Sequence, residues 1–111
     1  MDLSILALSE GARLREWATG ISGLHYLQRA KQRIEHPSKW CKGQDVLSGR
    51  YSVMRAMELE DDGGPGFDSA MHSLKAATGG NPRKWNDRFW RSHDSVMKAL
   101  DRATAIELTK R

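Results

Sequence analysis

Glycine and proline cut this chain at intervals too short for one long helix or a regular sheet. The strongest break is Gly63-Gly64-Pro65-Gly66, followed by Gly79-Gly80-Asn81-Pro82, with Gly20 and Pro37 upstream. Gly supplies positive φ and Pro removes a backbone donor, so such clusters hold turns. Between the breaks, apolar residues recur every three to four positions, the spacing of one helical face.

Residues 3–19 read as a helix carrying Leu3, Leu6, Ala7, Leu14 and Trp17, with Gly11 weakening its middle by about 1 kcal/mol relative to Ala. Gly20 is its expected stop. A second helix is predicted over 24–35, with Leu24, Leu27, Ala30 and Ile34 inward and Arg29, Lys31, Gln32 and Arg33 outward. Pro37 forces His36 toward extended geometry and ends it. Residues 37–50 read as loop, and 51–60 as a third helix with Val53, Met54, Ala56 and Met57 available to the core. Asp68 is the expected cap of a short helix over 69–77 holding Met71, Leu74 and Ala77. Ser92 should open the last helix, which runs to about Leu108 with Val96, Ala99, Leu100, Ala103 and Ile106 on its apolar face. No run of alternating β-branched residues argues for strands. The expectation is an all-α, compact bundle of about five short helices forming a single domain over 1–111, with a small hairpin within 40–52 as the one exception.

A chain of 111 residues can bury a core without disulfides or metal. Cys41 stands alone, which excludes an internal disulfide and fits a reducing compartment. No apolar run approaches the roughly 20 residues of a membrane span. Leu3-Ser4-Ile5-Leu6-Ala7-Leu8 is too short and lacks the basic flank of a secretory signal, so a cytoplasmic protein without membrane association is expected.

The net charge of +4 is unevenly spread. Glu58, Glu60, Asp61 and Asp62 form an acidic knot, read as solvated surface. Arg83-Lys84-Trp85-Asn86-Asp87-Arg88-Phe89-Trp90-Arg91 gathers four cations, three aromatics and one acid in nine residues. A second basic set is Arg29, Arg33, Lys39 and Lys42. Interleaved guanidinium groups and rings suit an anionic, flat-faced partner, because the cations pair with phosphate while rings stack on bases. The same nine residues also suit a structural corner, with Trp85 and Phe89 turned inward. Trp40 and Trp85 are expected to be largely buried, and Trp90 more exposed.

Three stretches carry a resemblance. They are Leu27 to Ala30 with Ile34 through Gly43; the following helix, with Ala56 near its end; and Trp85-Asn86-Asp87 followed by His93 to Val96 and Leu100 to Ala103. Together they resemble a family of small uncharacterised domains found in actinobacteria and bacteriophages. Its marks are a Pro-x-x-Trp-x-x-Gly corner (Pro37, Trp40, Gly43) and a Trp-Asn-Asp turn. The resemblance spans roughly residues 26–107. This chain departs from it at Ser52-Val53-Met54-Arg55, where relatives often carry a Cys and a Gly. It implies a compact helical domain with no established activity. The setting implied is a phage or mobile element inside a bacterial host cell, where small proteins often block a host complex.

Catalytic and metal chemistry find little footing. The soft ligands include His36, Cys41, His72 and His93, and the nearest pair, His36 and Cys41, lies five apart across a proline-containing loop, unlike zinc spacing. Cys41 is flanked by Lys39 and Lys42, which would activate its thiolate if close, yet no partner base or oxyanion motif accompanies it. Asp87 and His93 could serve as an acid–base pair in a hydrolase or transferase. The alternative is that Asn86 and Asp87 accept backbone N–H groups and fix a turn anchored by Trp85.

The reading is therefore a non-catalytic binding protein without cofactor or metal. It engages a larger partner, a protein or protein–nucleic-acid complex, as an inhibitor of a host defence complex of CRISPR type. Its expected contact residues are Arg83, Lys84, Arg88, Trp90 and Arg91, with Arg29, Arg33, Lys39 and Lys42 as the second set. Trp40, Gly43, Trp85, Asn86 and Asp87 are the structural motif. Direct nucleic-acid binding through the same residues is the alternative, and the Asp87/His93 enzyme the third.

Overall fold

A computed structural model describes residues 23–88 and 90–110. The expected helix over 3–19, its stop at Gly20 and the inward turn of Phe89 lie outside these residues. The described chain is compact and mostly helical, with five α-helices and one two-stranded antiparallel hairpin. The order is α1 (Leu24–Ile34), a 3-10 turn (Pro37–Lys39), β1 (Val46–Leu47), β2 (Arg50–Tyr51), α2 (Val53–Glu58), α3 (Phe67–Thr78), α4 (Pro82–Asn86) and α5 (His93–Leu108). No helix among these is long and apolar enough to cross a membrane.

The apolar faces read from the sequence form most of the core; Met54 and Ala77 pack on it half-buried, and Ile106 stays outside it because the last turn of α5 buries Glu107 instead. Leu27, Ala30 and Ile34 of α1 meet Val53, Ala56 and Met57 of α2, Leu74 of α3, and Val96, Ala99, Leu100 and Ala103 of α5. Each of these eleven side chains is fully buried, and at about 25 cal/mol per Å² of apolar surface their burial is the main favourable contribution to folding. α3 and α5 pack most extensively, and α1 lies against α2, α3 and α5. Tyr26, absent from the expected face, is also buried, its ring edge-on to Phe67. Its hydroxyl donates to Asp62 Oδ1 at 2.7 Å.

The helix limits differ where local chemistry outweighs periodicity. α2 starts at Val53 because Arg50 and Tyr51 pair in the hairpin, Val46 with Tyr51 and Leu47 with Arg50. Ser48 and Gly49, both at positive φ, supply the two-residue turn that matches strand twist. The Ser52 side chain then caps α2 by accepting the Arg55 N–H at 3.1 Å. α3 begins at Phe67, ahead of the expected Asp68 cap; Gly66 holds that position, and Asp68 sits in the first turn facing the helix dipole. The stretch 82–86 is a helix, α4, because Asn81 accepts the Lys84 N–H and Pro82 occupies the first turn, where its missing donor is no loss. Ser92 opens α5 in a reciprocal cap with Ser95.

The acidic knot separates into individual partnerships. Glu58 faces Arg55 and Arg83, Glu60 pairs with Arg33 at 2.6 Å, and Asp61 accepts the Gly63 N–H. Asp62 takes the Tyr26 hydroxyl and the Gly64 N–H, which hold its carboxyl below the usual range and pin the glycine-rich turn to α1.

At the far end of α5, Glu107 is 0% exposed. Its carboxylate accepts the Gly23 N–H (3.1 Å), the Ser69 hydroxyl (2.8 Å) and the Ser73 hydroxyl (2.6 Å), and pairs with Lys110 at 3.2 Å. Gly23 must be glycine here: a Cβ would stand 2.6 Å from Glu107 Oε2 and 2.8 Å from the Ala70 nitrogen. Burial alone would raise the Glu107 pKa, but the hydroxyls of Ser73 and Ser69 and the Lys110 ammonium outweigh it, and the carboxyl sits below its ordinary value. A depressed carboxylate contributes stability that is full above the unfolded pKa, about 4.3, and is lost as pH falls through the folded value. Glu107→Ala should cost about 3 kcal/mol in urea unfolding at pH 7, by stranding the buried Gly23 N–H and Ser73 hydroxyl. It should also flatten the decline of stability below about pH 4.3. An equal acid decline in variant and parent would remove Glu107 as its source.

Candidate functional site

Both sequence motifs converge on one corner. His36 is extended, at φ −80° and ψ 132°, and its Nδ1 accepts the Ser38 N–H, so the chain turns through Pro37–Lys39 into Trp40. Trp40 bridges to Tyr51 of the hairpin, and the Cys41 N–H donates to the Tyr51 carbonyl at 3.1 Å. From the other side α4, a single capped turn, presents Trp85 and Asn86 inward.

The Asn86 carboxamide joins the two. Its Oδ1 accepts the Trp40 indole N–H at 2.7 Å and the Val53 N–H at 3.0 Å. Its Nδ2 donates to the Cys41 carbonyl and to Asp87 Oδ1, each at 3.0 Å. Two donors face the oxygen and two acceptors face the nitrogen, which defines the amide orientation and uses its full capacity. Asp87 Oδ1 also takes the Gly43 N–H at 2.8 Å, closing the Pro-x-x-Trp-x-x-Gly corner onto the Trp-Asn-Asp turn. Trp85 is buried, Trp40 is half-buried rather than largely buried, and Trp90 is exposed.

The basic residues sort by what they touch. Arg83 is partly exposed but engaged: it grips Asp45 at 2.8 Å and Glu58 at 3.3 Å, tying α4 to the hairpin loop and α2. The hydrogen bond from Arg83 holds the Asp45 carboxyl low, and its partners raise the Arg83 pKa in turn. Arg91 lies with its guanidinium 3.8 Å over the Trp85 ring and donates Nε–H to the Trp85 carbonyl at 2.9 Å. The Arg91 carbonyl accepts from Lys42 Nζ at 3.2 Å. Arg88 is exposed, its guanidinium 5.5 Å from the ring of Trp90, which is itself 59% exposed.

Lys42, Arg88, Trp90 and Arg91 therefore meet at one edge. Burial against Trp85 lowers the Arg91 pKa, and the charges of Arg88 and Arg102 lower it further. Arg102, from the second half of α5, donates instead to the Ala77 carbonyl of α3 at 3.2 Å. Arg29 and Arg33 lie elsewhere, lining an open depression of about 390 Å³ with Gln32 and Glu60. Lys39 and Lys84 are exposed on the 3-10 turn and on α4.

The proposed acid–base residues have backbone tasks. Asp87 Oδ1 accepts from the Gly43 backbone and the Asn86 amide, both N–H donors of the corner. His93 Nε2–H donates to the Ile34 carbonyl at 2.8 Å, closing the end of α1. Cys41 is buried with its thiol donating to the Gln44 carbonyl at 3.3 Å. Burial first, then the negative charge of Asp87, pushes its pKa up, so the flanking lysines do not produce a reactive thiolate. Among the described residues no three His, Cys, Asp or Glu side chains group to hold a metal ion.

Asn86→Ala strands the Trp40 and Val53 donors and the Cys41 carbonyl, and should cost about 3 kcal/mol or more. Asn86→Asp retains an acceptor but loses the donor to Cys41 and sets a second carboxylate beside Asp87, so it should destabilise comparably. Thermal and urea unfolding measure both; a loss below about 1 kcal/mol in either would mean that the amide does not clamp the corner.

No curated protein and no solved structure matches the chain. The model of the family described as "Family of unknown function (DUF6197)" matches residues 20–106, which include both corner motifs and every described helix up to the last turn of α5. The chain belongs to that family, DUF6197.

Proposed function

We propose that this protein acts by binding, without catalysis of its own, and that the edge formed by Lys42, Arg88, Trp90 and Arg91 engages an anionic face of a larger macromolecular partner. The observation that carries the reading is Trp90: a large ring 59% exposed, with a guanidinium across it and further cations beside it. Exposing such a ring forgoes the hydrophobic stabilisation that burial would bring, and the corner beneath it is rigidly built. Polar groups that would serve catalysis at Asp87 and His93 are instead used to hold backbone. The narrower reading, a phage or mobile-element protein that blocks a host defence complex of CRISPR type, draws on the family resemblance and not on the site.

Arg88→Glu combined with Trp90→Ala should leave the melting temperature within about 3 °C of the parent, since exposed side chains contribute little to stability. The same variant should lose the partner in pull-downs from the source cells, because a like charge then faces the anionic surface. Undiminished capture by the folded variant would move the interface to the Arg29–Arg33 face.

A further inference from the structure

The chemistry around Trp90 narrows the partner further. We infer that the edge formed by Lys42, Arg88, Trp90 and Arg91 is a site for single-stranded nucleic acid, with a base stacked on the Trp90 ring and backbone phosphates on the surrounding cations. The inference rests on the reading of this edge as an interface and names what the edge contacts.

Three observations separate this occupant from an acidic protein and from a duplex. The ring stands among cations: Arg88 lies 5.5 Å from its centroid, and Arg91 and Lys42 follow on the same edge. A protein interface of standard kind has an apolar centre with charges at its rim. Here the other large apolar side chains left exposed among the described residues, Val46, Leu47, Leu59 and Leu108, belong to the hairpin and to the ends of α2 and α5. A duplex keeps its base faces stacked inside and offers Trp90 nothing to lie on, whereas a single strand presents base face and phosphate together. Arg88 and Arg91 crowd their positive charges on this edge, and a phosphate placed between them relieves that repulsion. Acidic groups nearby are engaged: Asp87 accepts from Gly43 and Asn86, Asp94 pairs with Lys98 at 3.0 Å, and Asp101 with Lys31 at 2.8 Å.

The test uses the full chain with a fluorescein-labelled 12-mer of dT and one of rU, a blunt duplex of the same length, and heparin as a polyanion without bases. The single strands should bind more tightly than duplex or heparin and should quench tryptophan fluorescence. Their affinity should fall with salt at a log–log slope of about −2, as release of about three counter-ions from a single strand requires. Trp90→Ala should weaken binding by at least about tenfold, while Trp90→Phe retains most of it, since stacking needs a ring and not the indole nitrogen. Melting of each variant separates loss of binding from loss of fold. Equal binding to heparin, indifference to Trp90→Ala in a folded variant, or no binding of any oligonucleotide would overturn the inference. Pull-downs with nuclease-treated lysate distinguish the two levels. If capture still depends on Arg88 and Trp90 while no oligonucleotide binds, the edge meets protein and only the nucleic-acid inference fails. If neither depends on them, both fail.

Discussion

The Asn86 side-chain amide is completely buried and makes four hydrogen bonds, reaching the Trp40 indole, the start of α2 at Val53, the Cys41 carbonyl and its neighbour Asp87. The corner beneath the Trp90 edge depends on it. A buried amide left unpaired costs several kcal/mol, but a fully paired one specifies a single arrangement of its partners. Gln alone shares the carboxamide, and it would place the oxygen and nitrogen one methylene too far from α4. The Trp-Asn-Asp turn and the Pro-x-x-Trp-x-x-Gly corner are thus two halves of one clasp. Their motif residues are explained by packing and hydrogen bonding alone.

That clasp determines what the surface can present. With Trp85 buried and Asn86 facing inward, the chain leaving α4 must turn outward through Arg88 before Ser92 opens α5. Arg91 folds back over Trp85 and closes the turn from outside, contributing its aliphatic stem and guanidinium to the packing. Arg88 and Trp90 are left at the rim. Elsewhere many charges are matched: Glu60 with Arg33, Glu58 and Asp45 with Arg83, and Glu107 with Lys110. The net charge of +4 is consequently felt most where cations crowd one another, as Arg88 and Arg91 do beside Trp90.

Helical periodicity makes the core readable from the sequence, because Leu27, Ala30, Ile34, Val53, Ala56, Leu74, Val96, Ala99 and Leu100 fall at spacings that only a helix turns to one side. Turn chemistry makes the breaks readable for the same local reason. Long-range polar pairing is not legible in this way. Nothing in the sequence around Glu107 shows that it meets Gly23, Ser69 and Ser73, which are 34 to 84 residues away. Arg83 and Arg91 look like surface cations in a basic run, yet one is taken up by Asp45 and Glu58 and the other by the Trp85 ring. Arg88 in the same run stays exposed at the rim, so identical residue types have different fates there. The difference lies in the facing elements, which a one-dimensional pattern does not contain.

The clasp is tested most directly by native-state hydrogen exchange at the Trp40 indole N–H and the Val53 amide, both donors to Asn86 Oδ1. If this amide holds the corner, both protons exchange only through global unfolding, with opening free energies equal to the stability measured by urea. Exchange of either proton through a local opening several kcal/mol below that value, while the α5 core amides stay protected, would contradict the account. The corner would then be a loosely held surface feature and not the frame on which the Trp90 edge is built.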